Sequence, residues 1–140
     1  MSESSCIFCK IVAGEIPALR VFEDDAVLAF LDVGPLAEGH VLVVPKQHYE
    51  RLEDMSGDAV AAVTRHLPKL GRAVVKAMSV PGYNVLQNNG KESGQVVPHV
   101  HIHIIPRVAA DGLGYRWNAS EYPSGRAEEV QRQIVAALPS

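Results

Sequence analysis

The stretch NNGKESGQVVPHVHIHIIPR, residues 88–107, places three of the chain's six histidines within five positions. His99, His101 and His103 alternate with Val100 and Ile102, and Ile104, Ile105 and Pro106 close the run. A period of two is the signature of a β-strand, whose successive side chains point to opposite faces. Val100, Ile102 and Ile104 then share a face that belongs in a core, and the imidazole face must meet water, a metal or a ligand. Three aligned imidazoles bring no packing advantage, so a merely solvated strand face explains them poorly. Two chemical readings remain. Alternating histidines can ligate a catalytic metal that keeps an open coordination position. A neutral imidazole can also act as a nucleophile toward phosphorus or carbonyl centres. The preceding NNGKESGQ favours the second, because its glycines allow close backbone approach and its amide side chains donate to an anion. Asn88 and Gln95 are the donors singled out for phosphoryl oxygens.

Elsewhere the pattern predicts one domain spanning residues 1–140, with no internal repeat and no linker. IFCKIVAG reads as a short helix ended by Gly14. RVFED and VLAFLDV read as a hairpin around Asp24-Asp25-Ala26, and HVLVVP, residues 40–45, as a third strand stopped by Pro45. Ser56 is a suitable N-cap for a long helix to about Ser79, with an apolar stripe through Val60, Val63, Leu67, Leu70, Val74 and Ala77. Pro68 inside that pattern should kink it or restart it. YNVLQN and HVHIHII supply two more strands and AEEVQRQIVAAL an amphipathic C-terminal helix. The segment from Ala109 to Gly125, with the only tryptophan, Trp117, reads as loop. The expectation is an α+β fold with a mostly antiparallel sheet of about five strands.

The net charge is −3 with no run of basic residues, which argues against nucleic-acid or anionic-membrane binding. No apolar run approaches the ~18 residues that span a bilayer. MSESSCIFCK lacks the architecture of a secretory leader, so a cytoplasmic location is expected. There, Cys6 and Cys9 are thiols or ligands more readily than a disulfide. Their CxxC spacing suits half a metal site; a redox pair competes, but such pairs normally follow a strand, which is absent here.

GQVVP followed by HVHIHII resembles the histidine triad (HIT) superfamily, in the bacterial type of its Hint branch of nucleotide-binding hydrolases. CIFCKIVAGEIPA, VFEDDAVLAFLDVGPLAEGHVLVVPKQH and YNVLQNNGKESGQ extend the likeness over most of residues 6–107. The resemblance implies the HIT-like α+β fold, a homodimer, and a purine nucleoside phosphoramidase or related nucleotidyl hydrolase that cleaves at the α-phosphorus of the nucleotide and releases the nucleoside monophosphate. It implies that His101 is the nucleophile and forms a nucleotidyl-imidazole, that His103 contacts phosphate or leaving group, and that His99 orients the nucleophile. Asn88 and Gln95 match phosphate-side positions. Asp32 matches the acceptor of ribose hydroxyls, although a turn-starting Asp before Gly34-Pro35 explains it too. Ile7, Phe8, Ile11, Phe30 and Val33 match the walls of a base pocket, or plain core. Val96 stands where many relatives carry Ser or Thr. By the same resemblance Cys6, Cys9, His48 and His99 form a closed structural zinc site, and no organic cofactor is expected. His40 is read as facing the sheet and His66 as a surface residue. Close variants of the reading are a dinucleoside polyphosphate hydrolase and a nucleotide-binding regulator with incidental catalysis. A zinc hydrolase using the triad as ligands fits the context least.

Overall fold

The computed structural model describes residues 3–113 and 119–139. A five-stranded antiparallel sheet has the order β1-β2-β3-β5-β4, from β1 (Arg20–Glu23), β2 (Val27–Leu31), β3 (Val41–Pro45), β4 (Gly82–Gln87) and β5 (Ile102–Arg107). The β1–β2 hairpin closes because the Asp24 carboxylate accepts from the Ala26 and Val27 amides, both at 2.9 Å. Four α-helices accompany the sheet: α1 (Ile7–Val12), α2 (Gly57–Thr64), α3 (Leu67–Met78) and α4 (Arg126–Ala137).

The sheet is covered on both faces. Val27, Ala29, Leu31, Val41, Val43, Ile102 and Ile104 pack beneath α3 and α4, against Leu70, Val74, Val130 and Ile134. Leu28, Phe30, Leu42 and Val44 point the other way, onto Cys6, Phe8 and Ile11 of the N-terminal segment. Strands β2 and β3 are buried at every position, as continuous apolar runs require. β4 is the exception: it forms a sheet edge, and Val85 and Leu86 on it are exposed.

The long helix expected from Ser56 to Ser79 is two helices. Ser56 caps the first through its hydroxyl, which accepts from the Ala59 amide at 3.1 Å. The chain then breaks at Arg65–His66, and Pro68 lies in the first turn of α3, where its missing N–H costs no bond. His66 is not a surface residue. It is buried at that break, against the Phe22 ring (centroids 4.7 Å apart) and 2.7 Å from the Asp24 carboxylate, off the hydrogen-bond direction. The break in the helix turns its ring inward over the hairpin.

The histidine strand also begins later than the alternation suggests. β5 starts at Ile102, so only His103 lies in the ladder, opposite Leu42 and Leu86. Upstream, the His99 amide bonds the Val97 carbonyl (2.8 Å) and the Val100 amide bonds that of Tyr49 (2.7 Å). β3 ends at Pro45, which has no N–H to continue the ladder. Residues 109–113 and 119–125 carry no helix or strand, whereas Trp117 lies outside the described residues.

Candidate active site and metal centre

His99, His101 and His103 are all buried, at 0%, 6% and 4% exposure, on the sheet face opposite Ile102 and Ile104. Phe8 on α1 anchors the group, edge-on to the rings of His101 (5.0 Å) and His99 (5.8 Å) and to Phe30 (5.7 Å). The His101 and His103 rings are 5.0 Å apart.

The hydrogen bonds fix the tautomer of each ring. A carbonyl oxygen only accepts, so a ring nitrogen bonded to one carries the proton. His101 Nδ1–H donates to the His99 carbonyl at 2.7 Å, which leaves the lone pair on Nε2. His99 Nε2–H donates to the Pro45 carbonyl at 2.9 Å, which leaves its lone pair on Nδ1. His40 supplies a third constraint. Its Nδ1 accepts from the Leu36 amide at 3.0 Å, so Nε2 bears the proton and donates to His103 Nδ1 at 2.9 Å. His103 therefore holds its own proton on Nε2.

His40 is thus part of the site and does not merely face the sheet. It is fully buried, with Asp32 Oδ2 3.6 Å from its Nε2. Burial lowers the pKa of all four imidazoles: His40 and His99 to about 4, His103 to about 3, and His101 in the same direction. Desolvation is the leading cause in each case, because a cation loses its water there.

This has a consequence for stability. An unfolded histidine titrates near ~6.5, so between about pH 4 and 6.5 the unfolded chain binds protons that folded His40 and His103 refuse. Above that window both states are neutral and there is no penalty. Within it, each ring costs about 1.4 kcal/mol of stability for every unit the pH falls. Urea denaturation at pH 7.5 and 5.5 should show a marked loss of stability at the lower pH, and an unchanged midpoint would contradict the neutral assignment.

A second cluster adjoins the first. Cys6, Cys9, His48 and His99 bring Sγ, Sγ, Nδ1 and Nδ1 within 4.8 Å of one another. Cys6 is the N-cap of α1, so one helical turn presents both thiols to the same side. The edges of the cluster are 3.2 Å for His48–His99, 3.3 Å for Cys9–His48, and 3.4 and 3.5 Å from His99 to Cys6 and Cys9. Zn–N and Zn–S bonds of about 2.0 and 2.3 Å meeting tetrahedrally require edges of about 3.3–3.8 Å. The residues present fit such an ion, and the Pro45 bond already directs the His99 lone pair at the cluster. With protein alone around it, burial and then the Cys6 thiol push Cys9 up to about 12, a direction that a bound cation reverses.

Asp32 Oδ1 accepts from the Gly34 amide at 2.8 Å, the turn-starting role, while Oδ2 faces His40. Phe8, Ile11 and Phe30 are buried, whereas Ile7, Val33 and Val96 are exposed. Gln95 is buried with its amide engaged: Oε1 accepts from the Gly90 amide (2.6 Å), and Nε2 donates to the Glu50 (2.7 Å) and Val97 (3.1 Å) carbonyls. It braces the loop that delivers the histidines. Asn88 is half-buried beside Gly94, where a Cβ would meet its Nδ2 at 3.5 Å. Gly94 has φ +105°, which glycine tolerates. A cavity of about 590 Å³ lined by Met78, Pro106, Leu113 and Arg126 includes no histidine, so side-chain chemistry and not cavity size locates the site.

A family model for the HIT domain matches residues 13–110. The chain belongs to the HIT family. It is 52% identical over 129 residues to an uncharacterized HIT-like protein of Methanocaldococcus jannaschii, covering 92% of this chain and 98% of that one. It is 47% identical over 114 residues to the adenosine 5′-monophosphoramidase hnt1 of Schizosaccharomyces pombe, covering 81% and 83%. Among solved structures, a Zn-bound histidine triad family protein from Mycobacterium smegmatis superposes with a TM-score of 0.86 at 36% identity, over 97% of this chain and 94% of that one. The HIT assignment accords with the antiparallel α+β architecture of the five-stranded sheet.

Proposed function

We propose that this HIT protein is a purine nucleotidyl hydrolase in which His101 attacks the α-phosphorus and the nucleoside 5′-monophosphate is released from a covalent nucleotidyl-histidine. One observation carries the reading: His101 is neutral, held on a rigid strand end, and has its Nε2 lone pair open to an electrophile because Nδ1–H is bonded to the His99 carbonyl. That bond also stabilises the positive charge that grows on the ring as the N–P bond forms. Phosphoryl transfer asks little else of a protein than positioning and charge stabilisation. His103 Nε2–H lies beside the nucleophile as a neutral donor for phosphate or leaving group. Asp32 is the acceptor for the ribose, with Phe8, Phe30 and Ile11 backing the base and Ile7, Val33 and Val96 at the exposed rim. Asn88 lies on the phosphate side.

The relatives acting as adenosine monophosphoramidases support an adenylate substrate with a P–N bond as one that this chain accepts. Cys6, Cys9, His48 and His99 hold a structural zinc, whose chemistry is to fix the ligands and nothing more. Two thiols engaged in this way suit a reducing compartment, so we place the protein in the cytoplasm. The unpaired edge of β4, with Val85 and Leu86 exposed, supports a homodimer.

The purified protein should scatter light as a dimer, and adenosine 5′-phosphoramidate incubated with it should yield AMP. Mass spectrometry of rapidly denatured enzyme should find one nucleotidyl group on the peptide bearing His101. No AMP from the folded protein sinks the reading.

A further inference from the structure

Asn89–Gly90 is the one place in the chain where glycine follows asparagine. The pair is chemically labile, because asparagine is prone to lose its amide and glycine leaves the following nitrogen free to move. That nitrogen can reach the carboxamide carbon, expel ammonia and close a succinimide ring, which water reopens to aspartate or to its β-linked isomer. The pair is half-buried in the loop between β4 and the histidine segment.

Two sets of hydrogen bonds oppose the reaction. The first holds the electrophile. The Leu52 amide donates to Asn89 Oδ1 at 2.8 Å, and because a backbone N–H only donates, it fixes which end of the carboxamide is oxygen. The other end faces Gln87: Asn89 Nδ2 donates to Gln87 Oε1 at 2.6 Å, and Gln87 Nε2 donates back to Oδ1 at 2.8 Å. The second set holds the nucleophile. The Gly90 N–H donates to Gln95 Oε1 at 2.6 Å. Gln95 cannot turn its amide round, because its Nε2 is bound by the Glu50 and Val97 carbonyls, which only accept. Attack requires the Gly90 nitrogen to lose its proton, and the resulting anion would face the Gln95 oxygen. Gln95 is buried while residues 91–94 are exposed, so one side chain closes the clamp beneath an open loop.

From this arrangement we propose that Asn89 is a latent modification site, kept intact by the Gln95 and Gln87 amides and converted to aspartate or isoaspartate when the loop opens. The step needs only water. The Gly90 nitrogen gives its proton to solvent and forms a bond to Asn89 Cγ. The Cγ–Nδ2 bond breaks, and Nδ2 leaves as ammonia after taking a proton from solvent. Water then adds to one imide carbonyl and the ring opens. The product cannot re-form the clamp. A carboxylate at position 89 sets oxygen against Gln87 Oε1, where Nδ2 had donated. The β-linkage adds a carbon to the main chain ahead of Gly90 and displaces its N–H from Gln95. Because the same Gln95 amide holds the Glu50 and Val97 carbonyls, conversion loosens the loop that leads to His99. None of this depends on the reaction the histidines perform.

The test follows Asn89 by mass spectrometry of the tryptic fragment 77–91, in which exchange of NH for O is read and assigned to its residue. Folded wild type and Gln95→Ala are incubated at mildly alkaline pH beside a synthetic peptide of residues 84–95. The free peptide should convert fastest, and wild type more slowly by roughly tenfold or more, the factor that a few net hydrogen bonds supply. Gln95→Ala should recover much of that difference, while Asn84 and Asn88 in the same fragment stay intact. Wild type converting as fast as the free peptide removes the clamp. A folded Gln95→Ala as slow as wild type removes Gln95 from it, and a free peptide that does not convert overturns the site altogether. Should Gln95→Ala fail to fold, Gln87→Leu takes its place. It leaves Gln95 in position, strips two bonds from the Asn89 amide and must accelerate conversion; an unchanged rate there overturns the inference.

Discussion

His101→Ala should lower AMP release from adenosine 5′-phosphoramidate by roughly 10⁴-fold or more, the scale on which removal of a covalent nucleophile acts. The expectation follows from the lack of a substitute nearby. His103 has its proton on Nε2 and its Nδ1 bonded to His40, so neither nitrogen offers a lone pair to phosphorus. His99 directs its lone pair into the Cys6, Cys9, His48 cluster, away from a substrate. The substitution also deletes a buried ring in contact with Phe8, so some loss of stability is expected alongside. Two controls separate the effects: retention of the urea transition, and partial rescue of turnover by added imidazole in the space vacated. A folded variant with activity within tenfold of wild type would remove His101 from the nucleophile's role.

The contrast among the histidines shows what a linear sequence reveals and what it hides. The two-residue period around His101 announces a strand with a chemical face, because periodicity is a local property. The tautomers are not local. They depend on the carbonyls of Pro45 and His99 and on the Leu36 amide, and backbone groups carry no signal in a sequence. His40 reads as merely facing the sheet for that reason: it lies 63 positions from His103, and only the β3–β5 pairing, Leu42 opposite His103, brings their elements side by side. Its signal was present in retrospect, as a histidine at the mouth of a strand otherwise filled by Val and Leu. A continuous helix puts His66 at the surface; the break at Arg65 and the restart at Leu67 turn it over Asp24 instead. The hydrogen-bonding role of Gln95 is a third case. Its residue type suits an anion site, yet its amide braces the loop, and composition cannot distinguish the two.

The metal cluster sets the second large effect. Elemental analysis should find about one zinc per chain, and Cys9→Ser, or exhaustive chelation, should bring it near zero and lower the melting temperature by roughly 10 °C. That drop is smaller than in isolated zinc-dependent peptides, because two apolar clusters hold the sheet independently of the metal. It is still substantial, since the cluster ties three distant segments together: the N-terminal turn with Cys6 and Cys9, the end of β3 with His48, and the histidine loop with His99. Four protein ligands would close a tetrahedral site, leaving an ion held there no position for water or substrate. Turnover of the stripped but folded enzyme should therefore fall far less than in His101→Ala. The residual fall has its own cause: the carbonyl that accepts from His101 Nδ1–H belongs to His99, so loosening the ligand loosens the orientation of the nucleophile. Complete loss of activity on chelation with an unchanged unfolding transition would point instead to a metal in the reaction, against the geometry of a site whose every ligand is a protein atom.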